Sequence, residues 1–293
     1  MIKKIAGISA AALMAAGVAQ PAFAQDGEPL TIGWTAWSDA EFVTKLAQQL
    51  ITENYGQEVE LIQTGIAPQY QGVAQGDIDA MMMAWLPGTH ADYWDQVGPD
   101  VVTLGVLYTD AKLGWVVPEY VPEDQLSSIA DLTDPEVREK LDSTIQGIDP
   151  GAGLMRLSNE TIEAYGLDEY ELVSASDAAM VAALDRAIRN EEWIVVTGWS
   201  PHWMFGAYDL RYLEDPEGTL GGVERVYAIA RQGFQQDYPE VAQFLMRMHL
   251  PLEELESAMA NAQETSYEEA IGQYIENHPA RVNYWLTGEM AAS

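Results

Sequence analysis

The chain has 293 residues, 48% of them hydrophobic and 20% charged, which suits one large or two medium domains with a real core and excludes a disordered chain. Its 46 acidic and 14 basic residues give a formal charge of −32, a surface that repels nucleic acid and anionic lipid. There is no cysteine, which removes thiol nucleophiles, zinc–thiolate sites and disulfides from consideration.

The chain opens with an export signal. Lys3 and Lys4 give a basic start, residues 5–19 form an apolar run, and Ala22, Phe23 and Ala24 supply an A-x-A site with cleavage before Gln25. A membrane anchor is the alternative, but the run is short for a span and a cleavage site follows it. Loss of residues 1–24 removes two lysines and deepens the formal charge from −32 to −34. Solubility in a salty setting accounts for most of that charge, because salt screens the self-repulsion. The same field attracts cations. No later segment is apolar enough to cross a bilayer, so an exported protein, free in solution, is expected.

The remaining chain alternates strand and helix. LTIGWTA (30–36) reads as a strand, 42–56 as an amphipathic helix ending at Gly56, 58–65 as a strand, 70–77 as a short helix and turn, and IDAMMMAW (78–85) as a strand. GWVVPEYV (114–121) is a strand broken at Pro118. Residues 127–141 are helical, with Ser127 or Ser128 and Asp134 as caps. STIQGID (143–149) is a strand that feeds the PGAGLM turn and a helix over 154–166. A strand over 170–176, a helix over 177–191 capped by Asp177, and strands over 193–199 and 225–233 follow; from Pro239 the pattern is helical. This order predicts α/β architecture with largely parallel sheets, in two lobes joined by crossings near 115–120 and 215–225.

Three hydrophobic strands end in tryptophan: LTIGWTAW at Trp37, IDAMMMAW at Trp85 and WIVVTGW at Trp199. Ligands of open α/β sheets bind outside the carboxyl ends of strands, so three indoles are aimed at one kind of place. One tryptophan alone is usually packing; three at equivalent positions point to an aromatic pocket. Such a pocket stacks sugars or nucleobases, or holds a quaternary ammonium through cation–π contacts of about 0.5–2 kcal/mol each. On that estimate three rings hold a trimethylammonium group without a buried carboxylate partner. Trp115 and Trp203 are candidates for places near the pocket, whereas Trp34, Trp94, Trp193 and Trp285 are assigned to packing.

Gly151 and Gly153 lie in the strand-to-helix turn IDPGAGLM, where small residues and a helix start make a seat for a carboxylate or phosphate. It is not a P-loop, since the Gly-Lys-Ser/Thr ending is missing. A cation box with an anion seat describes a zwitterion, a betaine. Enzymatic readings fare poorly. GWSPH lacks the second glycine of a nucleophile elbow, and His90, His202, His249 and His278 form no zinc motif. A sugar-cleaving enzyme with stacking tryptophans is the remaining rival, but with 46 acidic residues carboxylate pairs occur by chance. Asp39, Glu41, Asp92 and Asp95, near the tryptophans, read as solvated helix starts.

DAMMMAWLPGTHADYW, YTDAKLGWVVPEY, GIDPGAGLM and VVTGWSPHWMFGAYDLRYLEDP resemble the glycine betaine/proline betaine substrate-binding proteins of ABC importers, over nearly the whole chain from about Leu30. The resemblance implies a two-lobed, type II periplasmic-binding fold with the ligand in the interlobe cleft. The expected lobes are 25–117 with 225–293, and 118–224. It implies a cation cage of Trp37, Trp85 and Trp199, with the ligand carboxylate held by the amides of Gly153 and Leu154 and by His90. Related choline binders add a fourth aromatic, for which Trp115 is the candidate; choline and dimethylsulfoniopropionate therefore remain alternative ligands. The implied partners are the small methylated ligand and a membrane permease. A periplasmic monomer with no metal or cofactor is expected.

Overall fold

In the computed structural model, residues 28–290 are described; the export signal read in residues 1–24 lies outside them. Nine strands occur among these residues: β1 (Leu30–Trp34), β2 (Val59–Gln63), β3 (Ala80–Leu86), β4 (Val101–Pro118), β5 (Thr144–Gln146), β6 (Glu171–Val173), β7 (Val196–Ser200), β8 (Leu210–Tyr212) and β9 (Glu224–Arg231). The principal helices up to residue 207 are α1 (Ser38–Tyr55), α2 (Ile66–Gln75), α3 (Ala91–Val97), α4 (Pro135–Lys140), α5 (Gly153–Tyr165), α6 (Asp177–Asn190) and α7 (Met204–Ala207). Helices at Pro239–Arg247, Leu252–Glu264, Tyr267–Asn277 and Pro279–Thr287 close the chain, and the first three pack on α1.

The strand order is β2-β1-β3-β9-β4-β7-β5-β6, with β8 on β4. The expectation of largely parallel sheets needs correction. β1 pairs parallel with β2 and β3, and β5 with β6 and β7, but β9 and β4 join these blocks through antiparallel pairs. The reason is topological: β9 returns against β1–β3, and β4, antiparallel to β9, runs on to pair against β7 in the other block. Over Val101–Ala111, β4 pairs with β9; over Lys112–Val116 it pairs with β7, and over Val116–Pro118 with β8. The change of partner thus falls at Ala111/Lys112, in the same strand whose end carries the expected crossing near 115–120.

Most of β4 was not read as a strand, because its alternation is interrupted. Its ladder with β9 shifts register three times, and Asp110 takes a left-handed φ of 62°. The expected helix cap at Asp177 is also corrected. Ser176 caps α6, accepting the Ala179 N–H at 3.2 Å, which frees Asp177 for contacts across the molecule. Ser128 and Asp134 cap as expected. In β3, AMMMAWL is buried on both faces except at Leu86, the pattern of a strand sandwiched between layers. β1, β3, β5 and β7 all end at the same cleft, where the candidate site residues gather.

Candidate functional site

One pocket at these strand ends has about 300 Å³ of empty space, part of it open to solvent. Trp37, Trp85 and Trp199 line it, together with Asp39, Thr89, His90, Leu113, Ile148, Ala152, Gly153 and Leu154. Trp37 sits between β1 and α1, Trp85 near the end of β3, and Trp199 near the end of β7, so three separate chain segments deliver the rings. Their exposures are 6%, 3% and 4%. Each indole N–H is engaged away from its π face: Trp37 donates to Asp149 at 2.9 Å, Trp85 to the Met83 sulfur at 3.1 Å, and Trp199 to Asp39 at 3.2 Å. Fixing the ring edges this way leaves flat, electron-rich faces for a cation.

Gly153 and Leu154 are the first two residues of α5, with Ala152 as the N-cap. Amides in the first turn of a helix have no intrahelical acceptor and carry the positive end of the dipole. The pocket therefore has an anion-seeking end. His90 lies beside it, and its Nδ1 accepts the Trp85 backbone N–H at 3.1 Å, so the neutral ring carries its proton on Nε2. Burial, and then the Arg156 guanidinium, push the His90 pKa down to about 3, which keeps the ring a neutral donor.

Leu113 lines the pocket, and Trp115, the expected fourth aromatic, does not. Trp115 is 0% exposed, outside the lining, with its N–H donated to the Ser158 hydroxyl at 2.9 Å. Trp203 also stands off the lining and packs on His202 and Tyr208. His202 stands edge-on to Trp199 with centroids 4.5 Å apart. Its Nδ1 accepts the Met204 N–H, and its Nε2 donates to Asp177 at 3.0 Å.

Asp39 was read as a solvated helix start; it is 0% exposed. Its Oδ2 accepts the Tyr108 hydroxyl at 2.6 Å and its Oδ1 the Trp199 indole. Burial raises its pKa to about 6 against the lowering pull of those bonds and of His202. The box therefore contains a buried carboxylate, which the sequence reading had dispensed with. The signal available was Asp39's place two residues after Trp37, but acidic residues in first turns are commonplace.

The two halves meet across this pocket. Besides Trp37–Asp149 and Trp199–Asp39, the Ser38 N–H donates to Asp177 at 3.0 Å, and Tyr93 donates to the Gly151 carbonyl at 2.7 Å. Arg156 donates to the Gly88 carbonyl at 3.1 Å.

The chain is similar to known proteins over most of its length. A model of the substrate binding domain of ABC-type glycine betaine transport systems matches residues 28–277. The glycine betaine/carnitine transport binding protein GbuC of Listeria monocytogenes is 36% identical over 156 residues, 52% of this chain and 52% of its own length. The match thus spans about half of that relative. Lactococcal OpuAC, crystallised closed with glycine betaine, is 36% identical with a TM-score of 0.82, covering 89% of this chain and all of its own. The glycine betaine/L-proline-binding protein ProX of Borrelia burgdorferi is 29% identical with a TM-score of 0.81, covering 88% and 97%. The architecture is accordingly the two-lobed α/β periplasmic-binding fold, and the chain belongs to the family of substrate-binding domains of ABC-type glycine betaine transport systems.

Proposed function

We propose that the chain captures a small methylated zwitterion, glycine betaine or a close relative, in the periplasm and delivers it as a monomer to the permease of an ABC importer. The observation that carries this reading is the convergence of Trp37, Trp85 and Trp199 on one pocket whose other end is the start of α5. The ammonium lies among the three indoles. The carboxylate takes the Gly153 and Leu154 amides and the His90 N–H. The halves act as lobes hinged where β4 changes partner, at Ala111/Lys112, and where the chain returns before β9. Substrate binding is the role that the family's domain carries, and it supports a binding protein over an enzyme.

The lining adds no fourth indole or phenol ring to the three indoles, while the start of α5 and His90 offer donors to a carboxylate, which favours a zwitterion over choline. No helix among the described residues is long and apolar enough to cross a membrane. The signal read at the N-terminus supports the periplasmic placement.

The test is calorimetric titration with glycine betaine, proline betaine, dimethylsulfoniopropionate, choline and maltose in one buffer. A methylated zwitterion binds tightest and choline weakly. Heat from maltose with silence from every cation would return the tryptophans to sugar stacking and overturn the reading.

A further inference from the structure

Asp39 poses a problem that the cage alone does not solve. A carboxylate with no exposure costs several kcal/mol unless it is paired, and hydrogen bonds from Tyr108 and Trp199 only partly compensate. Among the described residues no lysine, arginine or histidine forms an ion pair with it. The groups that face it are Tyr108 from β4, Tyr267 from the C-terminal helices, and His202 after β7. That imidazole is itself committed to Asp177 on α6. Yet Asp39 lies in the wall of the same pocket as the three indoles.

We propose that Asp39 is the counter-ion of the bound onium group and sets the site's preference for a cation over an uncharged group of the same shape. This rests on the cage reading of the pocket. Two effects act together. The carboxylate, itself fully buried, attracts the ammonium directly, and charges interact more strongly beside a protein interior than in bulk water. Through the Trp199 N–H it also pushes electron density into that indole and strengthens the ring's own pull on the cation. In the unloaded site the carboxylate is costly; the ligand's methylated cation removes that cost. Affinity and selectivity thus come from one preorganised charge.

The experiment compares glycine betaine with 3,3-dimethylbutanoate, in which carbon replaces nitrogen, on the wild type and on Asp39→Asn at pH 8. Asparagine keeps the size. Its oxygen still accepts from Trp199, and its amide donates to the Tyr108 oxygen, whose own proton turns to the Met83 sulfur 3.3 Å away. The preference for betaine over its carbon analogue should fall at least tenfold in Asp39→Asn, with the analogue held as well or better. Equal losses for both ligands, leaving the ratio intact, would reduce Asp39 to scaffolding and overturn the inference alone. A wild type that binds neither betaine nor any methylated cation overturns the cage reading and this inference with it. A second readout uses wild type only. Near pH 6, betaine binding should release protons, detected as a dependence of calorimetric heat on the ionisation enthalpy of the buffer; no proton release overturns the counter-ion role even if Asp39→Asn fails to fold.

Discussion

Gly153 and Thr89 approach so closely across the cleft that a Cβ on Gly153 would run into the Thr89 carbonyl oxygen and stand 2.8 Å from its carbonyl carbon. The obstacle is backbone, which cannot swing aside as a side chain does. The contact joins the start of α5 to the turn that carries His90, the two parts assigned to the ligand carboxylate. Gly153→Ala should therefore hold the halves apart and lower glycine betaine affinity at least tenfold, about 1.4 kcal/mol. Thermal unfolding of the unliganded variant should stay close to wild type, because halves that part without ligand relieve the clash. Wild-type affinity in Gly153→Ala would show that closure does not bring these segments together.

Thr89 is held from its other side by Glu224, the first residue of β9. One carboxylate oxygen accepts both the Thr89 N–H and its hydroxyl at 2.8 Å, while the second oxygen is buried without a partner. Glu224→Ala strands a buried N–H, a loss of about 1–3 kcal/mol. It should lower the melting temperature by several degrees, at about 2–4 °C per kcal/mol for a chain approaching this size. Glu224→Gln keeps the accepting oxygen and should melt near wild type. Calorimetric scans of the two variants side by side settle the matter; equal melting of Ala and Gln would refute the role given to that oxygen.

The pH dependence of stability carries two opposed contributions. His90 has its pKa lowered to about 3 in the folded chain, so below its unfolded value near 6.5 the unfolded chain binds the extra proton. Stability conferred by neutral His90 is present above pH 6.5 and is lost as pH falls toward 3, about 3 kcal/mol by pH 4. Asp39 has its pKa raised to about 6, so between its unfolded value near 3.8 and pH 6 the folded chain binds the extra proton. Its contribution is full below pH 3.8 and lost as pH rises through 6, again about 3 kcal/mol. Between pH 4 and 6 the two nearly cancel. Asp39→Asn should therefore be more stable than wild type at pH 7 and should lose stability more steeply toward pH 4. His90→Gln should do the reverse, losing none on acidification. Melting temperatures from pH 4 to 7 read both, and parallel curves for all three proteins would contradict the assignment.

Much of the site was legible because strand ends are easy to find. Trp37 follows a hydrophobic strand, Trp85 and Trp199 stand near the ends of two others, and the glycine turn before α5 stands out as composition. What was not legible depends on distant pairing. β4 hides behind bulges, and only the fold shows that it serves both halves. Leu113 and Trp115 lie two apart on that strand, and nothing local says which borders the pocket. Asp39 reads as a helix-start acid until Tyr108, 69 residues away, and Trp199, 160 residues away, close over it. Asp177 misled for the same reason: a good local cap was already available in Ser176, and the carboxylate went to Ser38 and His202.

The most direct test of the account is the affinity of Trp85→Ala for glycine betaine, measured by calorimetry beside the wild type. Trp85 is almost fully buried, lines the pocket and stands edge-on to Tyr108 with centroids 6.2 Å apart. Losing a desolvated cation–π contact of about 1.4 kcal/mol or more should raise the dissociation constant at least tenfold. The same dissociation constant in variant and wild type, with the variant folded, would contradict the cage and with it the central claim that these indoles hold a methylated cation.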